Sequence, residues 1–130
     1  MDLPALQSAL RERGIDAWLL YDFRHMNPIA NRVAGIAADR HTTRRWFGLI
    51  PSDGEPRWLH SAIEAHVFEG LPGIKTAFVG WRDLEIKRAT LWQIEPPGNA
   101  IVNTAGGALI ATGTAVAPWI AVGFATATAT

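Results

Sequence analysis

Ala17-Trp18-Leu19-Leu20-Tyr21-Asp22-Phe23-Arg24, followed after His25 and Met26 by Asn27-Pro28-Ile29-Ala30, is the stretch that decides the fold. Ala17 to Tyr21 form an unbroken apolar run, which suits a strand covered on both faces, as in a parallel or mixed sheet. Asn27 can then cap a short helix with Pro28 at its first position and Gly35 at its end. Upstream, Asp2 caps a helix whose Leu3, Leu6 and Leu10 share one face, whose last turn holds Arg11 and Arg13, and which Gly14 closes.

Downstream, residues 36–44 read as a polar loop. Two strands, 46–50 and 56–60, flank the turn residues Pro51-Ser52-Asp53-Gly54-Glu55 and so form a hairpin. Ser61 and Glu64 have the spacing of a capping box, opening a helix that buries Ile63, Val67 and Leu71 and breaks at Gly70 and Pro72-Gly73. Residues 74–79 read as a further strand and 82–92 as a helix. Strands alternating with helices predict a layered α/β domain built on a mixed sheet. Beyond residue 95 the pattern stops.

Composition breaks at the same place. The chain has 130 residues, twelve basic and twelve acidic side chains and four histidines, and every one of these charged or imidazole groups lies in residues 1–95. An ordinary soluble sequence would place about nine charges in a stretch as long as residues 96–130. The reading is therefore a domain over residues 1–95 and an uncharged Ala/Thr/Gly-rich tail over 96–130. The tail reads first as an abnormal C-terminus, of the kind a shifted reading frame produces. Native edge strands such as 115–117 are the alternative. Residues 105–125 are long enough to cross a bilayer, but four glycines, Pro118 and the lack of flanking Lys or Arg argue against a membrane span.

A net charge of zero gives no field for nucleic acid or an anionic membrane. With no cysteine, disulfides, thiolate metal sites and a cysteine nucleophile are excluded. No apolar signal core opens the chain, so a cytoplasmic location is expected. His60 and His66 bracket Glu64 without the spacing that puts two metal ligands on one helical face. Ser8, Ser52 and Ser61 lack a nucleophile elbow, and Gly106-Gly107 and Gly113 lack the lysine of a phosphate loop. One local asymmetry stands out: residues 24–45 hold Arg24, Arg32, Arg40, Arg44 and Arg45 against Asp39 alone, with His25 and His41 among them. The cluster reads first as a solvated face whose arginines contact local carboxylates; the alternative is a site for a carboxylate or an acidic surface, since guanidinium forks match carboxylates at two points. Trp18, Trp46 and Trp58 fall in strands, where core packing is the default. Trp81, after Gly80, is read the same way, with exposure at an interface as the alternative. The candidate interface or carboxylate-binding residues are thus Arg24, His25, Arg44, Arg45 and Trp81.

Tyr21-Asp22-Phe23-Arg24 with Asn27-Pro28-Ile29-Ala30, then His41-Thr42-Thr43-Arg44-Arg45-Trp46-Phe47, Leu49-Ile50-Pro51, Gly54-Glu55-Pro56 and Ile63-Glu64, together resemble the N-terminal domain of the creatinase/prolidase family. The resemblance covers about residues 3–92. His25 departs from it, standing where relatives tend to have a small residue, as does Gly48, which interrupts a strand usually rich in aromatics. The resemblance implies a three-layer mixed sheet flanked by helices, ribonuclease H-like and incomplete on its C-terminal side. It also implies a non-catalytic domain of an Xaa-Pro aminopeptidase or prolidase, a hydrolase whose separate pita-bread domain holds two divalent ions (manganese, cobalt or zinc). In that parent the domain shapes the active-site entrance and makes oligomer contacts. No catalytic or metal residue, and no cofactor, is then expected in this chain, and its partners are the pita-bread domain and further copies of itself. The alternative function is a stand-alone module binding a small carboxylate or an acidic partner through residues 24–45.

Overall fold

The computed structural model describes residues 1–37, 39–40, 42–88, 91, 99–104 and 107–112. The first helix, α1, spans Leu3–Glu12; the Asp2 side chain accepts the Ala5 N–H at 3.2 Å, as its position predicts. Strand β1 is Ala17–Asp22 and helix α2 is Pro28–Ala34. Asn27 caps α2 by accepting the Ala30 N–H, and Gly35 ends it in the left-handed conformation. Strands β2 (Trp46–Pro51) and β3 (Arg57–Ser61) form the expected antiparallel hairpin. A 3₁₀ turn (Ala62–Glu64) leads into a single-turn α3 (Ala65–Phe68), then β4 (Ile74–Phe78) and α4 (Gly80–Arg88).

Two further strands lie where the sequence pattern predicts no regular element: β5 (Asn99–Thr104) and β6 (Gly107–Thr112). The expectation that regular structure ends at residue 95 is corrected by their pairing, since β5 runs parallel to β1 and β6 antiparallel to β5. Uncharged, Thr- and β-branched segments can satisfy their backbone groups in a ladder without announcing it by alternation. The composition break falls between α4 and β5. The expected strand at 115–117 lies outside the described residues, as does most of the run 105–125, although 107–112 within it is strand β6. No helix among the described residues is long and apolar enough to cross a membrane.

The sheet order is β4-β3-β2-β1-β5-β6, mixed in direction. Cross-strand register sorts its side chains. Leu20 opposite Gly48, with Trp46, Ile50 and Trp58, faces α1, α2 and α3 and packs on Leu10, Ala30, Ala34, Val67 and Phe68. The alternate residues Leu19, Tyr21, Phe47, Leu49 and Leu59 are equally buried on the other face, where α4 lies along β3 and β4. Burial on both faces explains the unbroken apolar run of β1. Trp46 and Phe68 meet edge to face at 5.5 Å between centroids.

Gly48 has a packing reason. A Cβ built there would lie 2.5 Å from Cζ3 of Trp58, its cross-strand partner. The indole occupies the space that any side chain at Gly48 would need.

The segment after β3 departs from expectation. Ser61 makes no capping bond, and the Glu64 carboxylate is buried and bonded instead to the loop before β2. Ile63, expected in the core, is 64% exposed, while Val67 and Leu71 are buried as expected.

Candidate functional site

The directions of four strands bring their connections to one end of the sheet. β1 and β3 finish there, β2 begins there, and β4 finishes there in parallel with β3. Phe23 and Arg24, Arg44 and Arg45, Ser61, and Gly80 and Trp81 therefore come together, although they are far apart in sequence. Phe23, Arg44, Arg45, Ser61, Phe78, Gly80, Trp81 and Leu84 line a pocket of about 190 Å³.

Two buried carboxylates set the shape of this end. Asp22, fully buried, accepts hydrogen bonds from the backbone N–H groups of His25 (3.1 Å) and Asn27 (2.8 Å), the Thr42 hydroxyl (3.1 Å) and the Trp46 indole N–H (3.1 Å). It ties the loop after β1 to the start of β2. Glu64 accepts the Thr43 and Arg44 N–H groups at 2.7 and 3.1 Å and the Thr43 hydroxyl at 3.3 Å. With the loop backbone pinned beneath, the Arg44 and Arg45 side chains lie outermost and exposed.

Each guanidinium has a local brace. Arg45 donates from Nε to the Tyr21 hydroxyl at 3.1 Å and lies 4.3 Å from the centroid of the Phe23 ring. Arg44 donates to the Thr43 hydroxyl at 3.0 Å. Burial raises the Tyr21 phenol above its ordinary value of 10.0, and the Arg45 hydrogen bond and charge offset part of that rise.

Of the residues singled out in the sequence, Arg44, Arg45 and Trp81 line the pocket. Arg24 stacks 5.0 Å from the Phe23 ring, at its margin. His25 is not among the lining residues; it and Arg24 adopt left-handed backbone with φ of 59° and 58°, a conformation that costs about 1–3 kcal/mol per residue and persists only where the surroundings enforce it. Here Asp22 enforces it through the His25 N–H. Arg40 lies elsewhere: it donates to the His66 carbonyl at 3.1 Å and lines a second cleft with Met1, Ile36 and Leu71. Arg32 is exposed on α2, and His41 lies outside the described residues. The expectation of core packing for Trp81 is corrected, since the indole is 70% exposed and Arg82 stacks on it at 5.6 Å. Sequence reasoning missed Phe23, Asp22 and Glu64. An acid directly after an apolar strand was the available signal for Asp22; Glu64 was read as a cap.

Hydrolytic chemistry finds little here. Ser61 lines the pocket, but His60 lies on the opposite face of β3, stacked on Phe68 at 4.9 Å with Nδ1 on the Ser61 carbonyl. No three of the metal-ligating side chains converge among the described residues. The resemblance assigns its metal pair to a separate catalytic domain, and here the buried carboxylates, Asp22 and Glu64, accept hydrogen bonds from neighbouring N–H and O–H donors. What the pocket offers is two fixed cations over an apolar floor.

The N-terminal domain of an X-Pro dipeptidase from Streptococcus pyogenes superposes with a TM-score of 0.51, over 70% of this chain and 67% of that one, at 19% identity. That is a match of architecture. The fold is that of the creatinase/prolidase N-terminal domain. A proline dipeptidase from Streptococcus pneumoniae shares this fold with a TM-score of 0.56, over 78% of this chain and 73% of that one, at 17% identity. No family model and no curated protein matches the sequence. In creatinase/prolidase N-terminal terms, the arginine-rimmed pocket sits in the loops that follow β1, β3 and β4 and precede β2.

Proposed function

We propose that the chain is a non-catalytic N-terminal domain of an Xaa-Pro peptidase of the prolidase type, shaping the active-site entrance and making oligomer contacts beside a metal-dependent catalytic domain. The single observation that carries this reading is the likeness to the N-terminal domain of an X-Pro dipeptidase over most of both chains. A division into a domain over residues 1–95 and a tail over 96–130 belongs to the same proposal, as does a cytoplasmic setting, with which a cysteine-free sequence is compatible.

The test has two arms. The purified chain is incubated with Xaa-Pro dipeptides and manganese or cobalt, and no turnover is expected. It is then mixed with a separately produced pita-bread catalytic domain of an Xaa-Pro dipeptidase, where a complex and a changed KM are expected. Turnover by the chain alone, or no effect on any such domain, overturns the proposal.

A further inference from the structure

We infer that the pocket under Trp81 is a docking cleft for a second polypeptide that presents a carboxylate side chain beside an apolar one. The inference goes beyond the accessory-domain reading and depends on the pocket alone.

Charge selects the carboxylate. Among the described residues neither Arg44 nor Arg45 is paired with an acid, and the acids nearby are all engaged. Asp22 and Glu64 take the loop donors described above. Asp83 accepts the Val79 N–H at 2.8 Å and pairs with Lys87 at 3.0 Å, and Glu85 pairs with Arg88 at 2.6 Å. Two guanidinium groups, braced by Tyr21, Phe23 and Thr43, thus stand at the mouth of an apolar pocket without an ion-pair partner among the described residues. Bracing lowers the side-chain entropy that binding would otherwise cost, and fixed forks recognise carboxylates at two points.

Extent selects a polypeptide over a small molecule. The pocket, about 190 Å³, is smaller than the roughly 300–1,000 Å³ of sites that enclose small ligands. Its apolar surface continues past the mouth, because Val79 is 74% and Trp81 70% exposed, and Ile63 projects at the same end of the sheet. Buried Phe78 and Leu84 supply a floor for one apolar side chain. An aromatic anchor beside arginines is the composition of binding hot spots rather than of a solvated face.

The experiment measures fluorescence anisotropy of a labelled, end-blocked peptide of alternating leucine and glutamate against the 130-residue chain. The glutamine counterpart serves as the neutral comparison. The acidic peptide is expected to bind at least about tenfold more tightly than the neutral one, and Arg45→Ala and Trp81→Ala are each expected to weaken it by about tenfold. Binding should also fall as salt rises. Arg44→Ala is the second variant, because its main-chain bond to Glu64 survives the change even if loss of the Tyr21 contact disturbs Arg45→Ala. Arg13→Ala, an equal loss of charge just past the end of α1, should change nothing. Equal binding of the neutral peptide, absence of binding, or equal weakening by Arg13→Ala overturns the inference. Displacement of the peptide by an equal concentration of hydrocinnamate would assign the pocket to small carboxylates and overturn it as well.

Discussion

The Asp22 carboxylate accepts the indole N–H of Trp46 at 3.1 Å across the register pair that closes the β1–β2 ladder. One oxygen of the same group, Oδ2, also takes the Thr42 hydroxyl and the His25 N–H. A single buried acid therefore joins a core tryptophan to two loops. Removing it would leave several donors, most of them buried, without their acceptor.

Asp22→Ala is accordingly expected to lower stability by about 3 kcal/mol, the cost of stranding buried donors. Urea unfolding followed by tryptophan fluorescence measures this. A loss below the roughly 0.5 kcal/mol typical of surface changes would show that the hub does not hold the loops.

Glu64 and Ser61 separate two readings of the same four residues. In a capping box, Ser61→Ala would cost about 1 kcal/mol. The structure has no such bond at Ser61 and instead three donors on Glu64. Glu64→Ala should therefore cost about 2 kcal/mol and loosen the Arg44 loop, while Ser61→Ala costs less than about 0.5 kcal/mol. Hydrogen exchange at the Thr43 and Arg44 amides checks the loop directly, and exchange unchanged by Glu64→Ala would refute the assignment.

Gly48→Ala places a methyl group against the ring of Trp58. β2 and β3 would have to part or the indole leave its position, an overpacking cost of about 1–3 kcal/mol. Trp58→Phe should recover part of that loss in the double variant, since the smaller ring vacates the contact. Additive losses would mean the two residues do not compete for the same space.

Tyr21 is the single tyrosine of the chain, so its ionisation can be followed by tyrosinate absorbance alone. Its folded value is raised above 10.0, mainly by burial. The protonated phenol therefore contributes stability that is fully present below the unfolded value and is lost as pH rises through the folded one. The native midpoint should lie above 10.0 and that of the urea-unfolded chain near it. Arg45→Ala removes an influence that lowers the value, so the midpoint should rise further. A native midpoint at or below 10.0 would contradict the burial of the phenol.

Most of the frame was legible locally. Asp2, Asn27-Pro28 and Gly35 mark helix ends by backbone chemistry that acts within a few residues. The apolar run at 17–21 and the turn at 51–55 place the central strands for the same reason, and the resemblance to the creatinase/prolidase N-terminal domain was carried by residues 21–24, 27–30, 41–47, 49–51, 54–56 and 63–64. β5 and β6 were not legible, because uncharged residues without alternation carry no period, and only a neighbouring strand edge gives their backbone groups partners.

The candidate site divides along the same line. Its arginines were visible as a local excess of charge, a property of composition. That Arg44 and Arg45 meet Trp81 while Arg40 does not was decided by strand direction and by the buried acids Asp22 and Glu64, whose partners lie about twenty residues away. Local chemistry, acting through dihedral preferences and capping, wrote the elements into the sequence. The convergence of side chains required the sheet to close, since only then do distant strand ends share one solvent boundary.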